Sequence, residues 1–181
     1  MNRKRQNEEL KRLSANDYKS VSKIPLVIVL DDIRSAHNVG SVFRTADAFL
    51  IEAIYICGFT PFPPNREIQK TALGASETVS WKYFKSIDEA ITELKNSEYK
   101  IAVVEQTEKK IMLNDFSFSD NAKTAIVFGN EVGGVSQSVV DAADVCIEVP
   151  QFGTKHSLNI AVCAGIVIWE LFQRMRRRNQ S

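Results

Sequence analysis

The sequence predicts an α/β domain built on a mostly parallel sheet flanked by helices. Three observations carry this expectation. Short continuous apolar runs recur along the chain, such as PLVIVL at Pro25–Leu30, KIAVVE at Lys100–Glu105 and TAIVF at Thr124–Phe128. Such runs suit strands buried on both faces. Segments with helical patterning separate them, and strands alternating with helices favour parallel pairing. Polar, glycine-bearing loops follow several of the runs, where an open parallel sheet holds its ligands.

Taken in order, residues 1–24 read as a basic arm or polar helix ahead of a domain spanning 25–181. The first strand is Pro25–Leu30, and a helix is expected from about Asn38 to Phe49. A second strand covers Ala53–Cys57. Pro61, Pro63 and Pro64 then enforce a loop, since proline cannot sit in a central strand. A short helix is expected over 66–75 and a clearer one over Ser86–Asn96, with Asp88 and Glu89 in its first turn. Strands at Lys100–Glu105, Thr124–Phe128 and Val145–Val149 follow. Ser157 to Arg178 reads as a long closing helix with Ser157 as its N-cap. Between Leu158 and Phe172 nearly every position is apolar, so that helix should be covered on two sides, by its own core and by a second copy of the chain.

The 181 residues are 25% charged and 44% hydrophobic, as in a soluble globular protein of one domain. Residues 1–24 lack the apolar stretch of a signal peptide, and the longest apolar run, Ile160–Trp169, is too short to span a bilayer. Cys57, Cys146 and Cys163 are widely spaced in apolar surroundings and read as reduced core residues of a cytoplasmic protein. Without a CxxC pair and with only His37 and His156, no metal site is expected. The net charge of +1 hides an asymmetry: residues 1–23 carry +4, residues 174–181 carry another +4, and the middle is acidic at −7. Basic ends on an acidic body suit a polyanion held at the ends. Arg3, Lys4, Arg5, Lys11, Arg12 and Arg34, with Arg174, Arg176, Arg177 and Arg178, are the candidate phosphate contacts.

Three stretches are not explained by packing. DDIRSAHNVGSVFRTADAF, at Asp31–Phe49, follows the first strand directly and places Arg44 off the helix's apolar stripe. FGNEVGGVS, at Phe128–Ser136, is a glycine-rich turn that matches neither a P-loop nor the dinucleotide fingerprint. Its Glu131 would repel a phosphate, so a cationic or neutral ligand suits it better. VPQFGTKHSLN, at Val149–Asn159, carries a polar Asn159 that helix propensity alone does not justify.

In this order and spacing the three stretches resemble the three signature motifs of the SpoU/TrmH family, within the SPOUT class of RNA methyltransferases. KTALGASETV, at Lys70–Val79, resembles the segment between the first two. The resemblance covers roughly residues 25–173. It implies a C-terminal trefoil knot, a rare exception among folds, a homodimer, S-adenosylmethionine as cofactor, and methylation of a ribose 2′-hydroxyl of tRNA or rRNA. It assigns catalytic roles to Arg44, Asn38, Glu131, Ser157 and Asn159. It places the cofactor against Gly129, Val149 and Leu158, with Glu105, Gln106, Thr107, Asn130 and Gly133 close by. His37 and Ile160 depart from the family's commoner proline and valine without removing a polar group. A non-catalytic RNA-binding protein of this fold and a base methyltransferase of the same class are the competing readings. Because a guanidinium is almost never deprotonated, Arg44 is expected to grip the phosphate beside the target ribose rather than to act as a base.

Overall fold

The computed structural model of the chain describes residues 2–117 and 122–178, without the side chains of residues 7, 8, 177 and 178. After a 3-10 turn at Asn7–Leu10 and helix α1 (Ala15–Ser20), strand β1 (Ile24–Asp31) opens the sheet. Helix α2 (Ala36–Ala48), β2 (Ile51–Cys57), α3 (Arg66–Ala72), α4 (Ala75–Thr78), β3 (Ser80–Phe84) and α5 (Ile87–Asn96) follow. The second half comprises β4 (Lys100–Val104), β5 (Ile111–Met112), β6 (Thr124–Phe128), α6 (Gln137–Ala142), β7 (Val145–Glu148) and α7 (Ile160–Arg178).

The seven strands form one sheet in the order β3-β2-β1-β6-β4-β7-β5, and every pairing between them is parallel. Strand β1 shows why continuous apolar runs predict this. Leu26, Ile28 and Leu30 enter the core beneath α2 and α7, while Val27 and Val29 enter a second core beneath α5. Side chains alternate along a strand, so a strand covered on both faces needs apolar residues at every position.

Helix α7 departs from the expectation at its start. It begins at Ile160 rather than Ser157, and Asn159 caps it: its Oδ1 accepts the N–H of Ala161 (2.9 Å) and Val162 (3.3 Å). This corrects Ser157 as N-cap and accounts for the asparagine. Ala164, Val167, Ile168 and Leu171, one helical stripe, are fully buried, and Val162, Ile166 and Trp169 lie exposed on the other side. Each fully buried aliphatic of the inner stripe contributes about 1.5–3 kcal/mol.

Two strands and a helix that the sequence reading passed over complete the fold. SWKYF forms β3 at one edge of the sheet, with one buried residue in five. Ile111–Met112 forms β5 at the other edge, pairing with β7. Residues 137–142 form α6, which follows the glycine-rich turn. The basic arm is tied down in part: Tyr18 of α1 is buried in the main core, and Ser14 caps that helix by accepting the N–H of Asp17 at 3.1 Å.

Candidate cofactor and active site

The loops after β1, β4, β6 and β7 meet at the carboxyl ends of neighbouring strands, the expected place for a ligand in an open parallel sheet. After β1, Ser35 accepts the N–H of Asn38 (3.3 Å), so α2 starts at Ala36 and Asn38 stands in its first turn. Its amide then joins three elements. Asn38 Nδ2 donates to Glu131 Oε1 at 3.3 Å, and Asn159 Nδ2 donates to Asn38 Oδ1 at 3.3 Å. Glu131 Oε2 also accepts the backbone N–H of Arg34 at 3.3 Å. One polar residue from each of the three stretches thus enters a single network.

The glycine-rich turn is shaped mainly by its own chain. Asn130 and Gly134 exchange backbone hydrogen bonds of 3.1 and 2.9 Å, closing a tight turn. Asn130 Oδ1 accepts the N–H groups of Val132 and Gly133, while its Nδ2 donates to Asp32 O at 2.7 Å. A Cβ on Gly129 would lie 2.3 Å from the carbonyl carbon of Gly134, and one on Gly134 would lie 2.2 Å from Glu105 Oε2. The glycines therefore serve close self-packing of the loop. Glu105 completes the brace: Oε2 accepts the N–H of Val135 (3.0 Å) and Oε1 that of Gln106 (2.8 Å). Gln106 Nε2 donates to His156 O at 2.7 Å, tying the loop after β4 to the loop after β7.

These loops enclose a cavity of about 560 Å³, within the range of small-molecule and cofactor sites. Among the residues assigned to the cofactor, Gly129, Asn130, Val149, Leu158, Glu105 and Gln106 line it, as do Glu131, Ser157 and Asn159. Thr107 and Gly133 do not. The Thr107 hydroxyl closes a turn on Lys109 O (3.0 Å), and Gly133 faces open space. Arg44 is also outside the cavity. It is exposed on α2, without an ion pair or hydrogen bond among the described residues. Six residues beyond Asn38, it stands about 9 Å further along the helix axis.

Glu148, His156 and Cys163 line the cavity as well, and the sequence reading missed them. An acid inside the otherwise apolar strand VCIEV was the available signal for Glu148. Its Oε2 is buried 3.2 Å from Lys110 Nζ, an ion pair without an aligned hydrogen bond. Burial, with the charge of Glu105, pushes the Cys163 thiol up to about 11, which favours the neutral thiol at neutral pH. Glu105, Glu131 and Glu148 are acidic, and among the described residues no lysine or arginine lines the cavity. The site suits a cationic or neutral ligand and disfavours a polyphosphate.

The candidate phosphate contacts divide. Arg3 pairs with Glu9 at 2.7 Å and Arg5 hydrogen-bonds Glu9 O, whereas Lys4, Lys11 and Arg12 are exposed. Arg34 is exposed beside Glu131. Arg174 is engaged structurally, by Glu170 (2.6 Å), Phe116 O and Asn114 O (2.7 Å), so it anchors α7 and is not a free phosphate contact. Arg176 lies over the Phe172 ring. The side chains of Arg177 and Arg178 lie outside the described residues. Among the described residues, no helix is long and apolar enough to cross a membrane, and no cluster of ligating side chains could hold a metal.

Comparison with known proteins fits this geometry. The model of the SpoU rRNA Methylase family matches residues 25–169. The chain is 32% identical over 162 residues to the 23S rRNA (guanosine-2′-O-)-methyltransferase RlmB of Neisseria meningitidis, covering 89% of this chain and 63% of that protein. It is 30% identical over 154 residues to the tRNA (guanosine(18)-2′-O)-methyltransferase of Borreliella burgdorferi, covering 84% of this chain and 68% of the relative. The chain thus spans about two thirds of these relatives' length. Among solved structures, the TrmH/SpoU tRNA modifying enzyme of A. aeolicus superposes with a TM-score of 0.78 at 23% identity, over 90% of this chain and 80% of that one. AviRb from Streptomyces viridochromogenes, in complex with AdoMet, superposes at 0.77 with 21% identity, over 91% of this chain and 65% of that one. At these identities the superpositions establish the fold.

Proposed function

The chain belongs to the SpoU rRNA methylase family, and from that premise we propose that it transfers a methyl group from S-adenosylmethionine to a ribose 2′-hydroxyl of tRNA or rRNA. The observation that carries this reading is the acidic cavity closed by the Asn38–Glu131–Asn159 network. Its size accommodates the cofactor, and its carboxylates suit a sulfonium.

When bound, the cofactor supplies an electrophilic methyl group; the protein supplies placement and charge. Glu105 holds the glycine-rich turn against the cavity through the Val135 N–H. Gly129, Val149 and Leu158 present backbone to the cofactor, and Gln106 fixes the opposite loop through His156 O. Asn38 and Asn159 orient the wall nearest α2, with Glu131 fixing the amide of Asn38. Ser157, exposed at the cavity edge, faces the substrate side in this reading. Arg44, without a partner among the described residues, is available to grip the phosphate beside the target ribose and to stabilise the 2′-oxygen as it becomes anionic. That phosphate or water takes the proton. The competing non-catalytic reading predicts loss of the motifs' polar residues, whereas Asn38, Arg44, Glu131, Ser157 and Asn159 are all present.

Two further parts belong to this reading. The exposed stripe Val162, Ile166 and Trp169 on α7 is covered by a second copy, making a homodimer. The partner is then the route by which Arg44, remote from its own chain's cavity, meets a cofactor site. In this reading the C-terminal part of the domain forms the family's trefoil knot, and residues 1–24 are a basic arm that engages RNA in the cytoplasm.

The test is methyl transfer from labelled S-adenosylmethionine to RNA from cells lacking this protein. Label in a 2′-O-methylnucleoside is expected, with Arg44→Ala lowering turnover about 10²–10³-fold, the usual loss for a group stabilising developing charge. Label on a base would refute the ribose reading. In sedimentation, Trp169→Glu should shift the chain from dimer to monomer, and a wild-type monomer at micromolar concentration would refute the dimer.

A further inference from the structure

The loop between β2 and α3 and the edge strand β3 together expose a run of aromatic rings. Phe59 is 58% exposed, Phe62 43% and Tyr83 38%. The Phe62 ring lies 4.6 Å from Tyr83 and 6.2 Å from Trp81, centroid to centroid, tilted by 35° and 32°. The loop does not need the Phe59 and Phe62 rings to hold its place. Its backbone is pinned by polar contacts: Phe59 N–H to Asp32 Oδ1 (3.0 Å), Ile33 N–H to the Thr60 hydroxyl (2.9 Å), and Tyr83 hydroxyl to Gly58 O (3.0 Å). The two phenylalanine rings thus stand outside an already anchored loop, at an exposure that burial energetics does not favour.

The position of the patch identifies its ligand. It lies at the carboxyl ends of β2 and β3, on the same rim of the sheet as the cavity. The two are joined rigidly, because Asp32 accepts from Phe59 through its side chain and from Asn130 through its carbonyl, while Arg34 N–H bonds Glu131. Two exposed arginines without side-chain partners among the described residues lie on the adjoining segments: Arg34, two residues after the Asp32 that holds Phe59, and Arg66, at the start of α3 directly after the loop. The Glu89 carboxylate behind β3 is turned to the Lys85 N–H (3.2 Å), and Lys82 is paired with Glu93. Fanned aromatic faces with interleaved guanidinium groups bind unpaired bases by stacking and their backbone by charge.

Resting on the RNA methyltransferase reading, we propose that Phe59, Phe62 and Tyr83 form a stacking platform for single-stranded nucleotides next to the one entering the cavity, with Arg34 and Arg66 on their phosphates. The platform supplies affinity for unpaired RNA without dictating its sequence, since every base has a face to stack.

The test uses the full chain and a fluorescein-labelled single-stranded RNA of mixed sequence. Each stacked base changes affinity by a factor of about 5 to 150. Phe59→Ala combined with Phe62→Ala should therefore weaken RNA binding at least about tenfold, leave S-adenosylmethionine binding unchanged, and be rescued by tyrosine at both positions. Wild-type RNA affinity in the double variant would overturn the platform and leave the methyltransferase reading standing. So would an unchanged RNA affinity with altered self-association, which would assign the patch to a contact between copies. A wild-type chain that neither binds RNA nor methylates it would remove both readings. Independently of any variant, 5-bromouridine RNA should photocrosslink to residues 58–64 and 80–84 of the unaltered protein. Crosslinks confined to other segments would overturn the platform.

Discussion

The two halves of the sheet's carboxyl rim are built on opposite terms. Over β6, β4 and β7 the rim is concave and acidic, and its loops are fixed by side chains bonding backbone: Glu105 to Val135, Asn130 to Asp32, Gln106 to His156. Over β2 and β3 it is aromatic and exposed, and Arg34 and Arg66 have no side-chain partner among the described residues. The first arrangement disfavours anions and suits a small cationic ligand; the second offers stackable faces and exposed arginines, with Asp32, Asp88 and Glu89 also near the ends of its strands. The difference between the two is therefore one of shape and aromatic surface more than of net charge, with the Asp32–Arg34 segment joining them.

The largest expected effect that sharpens this contrast comes from Gly129→Ala. The new Cβ would lie 2.3 Å from backbone of Gly134, which cannot move aside without opening the turn. We expect about 3 kcal/mol of destabilisation and loss of cofactor binding, read by thermal denaturation and by equilibrium dialysis with labelled cofactor. Gly133→Ala, three residues from Asn130 in the same turn, meets nothing within 4 Å and should stay within about 0.5 kcal/mol of wild type. If the two variants behaved alike, the glycines would be serving the ligand and not the loop.

A smaller effect is expected at the seam of the two halves. Asp31, at the end of β1, is buried, and burial pushes its carboxyl up to about 6, with the charges of Asp32 and Asp88 adding to it. Its folded-state pKa lies above the unfolded value near 3.9. The protonated form therefore favours the fold: its contribution is fully present below about pH 4 and is lost as pH rises through 6. Asp31→Asn should then be more stable than wild type by about 2 kcal/mol at pH 7.5, and equal to it at pH 4. Melting temperatures of both proteins across this range would show it. A difference independent of pH would mean that the carboxylate has a partner that stabilises its charge.

How far each half could be read from sequence follows from burial. Strands β1, β4 and β6 are apolar at nearly every position because both faces are covered, and they stand out. The edge strands gave no such signal: SWKYF buries one residue in five, and β5 has only two. The aromatic rim was invisible for the same reason. Within the candidate site, Asn38, Glu131 and Asn159 were found through the resemblance of their motifs, and the structure brings their side chains together. It leaves Arg44 apart, because a motif fixes the order of residues along the chain and not which cavity a helical side chain reaches. His156 and Cys163 lie within or next to the third stretch without a signal of their own; His156 lines the cavity through the loop after β7, which Gln106 ties to the loop after β4, and Cys163 from the first turn of α7.

The smallest effect, and the finest division, concerns Asn159, which belongs to the fold and to the site at once. Its Oδ1 caps α7, and its Nδ2 reaches Asn38. Asn159→Ala removes both and should cost about 1 kcal/mol through the cap, whereas Ser157→Ala should leave stability within about 0.5 kcal/mol. Asn159→Asp separates the two roles. A carboxylate still accepts the N–H groups of Ala161 and Val162, and its charge is favourable at a helix N-terminus. It cannot donate to Asn38, and it sets a negative charge beside the Asn38 oxygen. This variant should melt at or above the wild-type temperature and yet transfer methyl groups more slowly. If it were as active as wild type, the network would be reduced to Asn38 and Glu131, and Asn159 would be a cap alone.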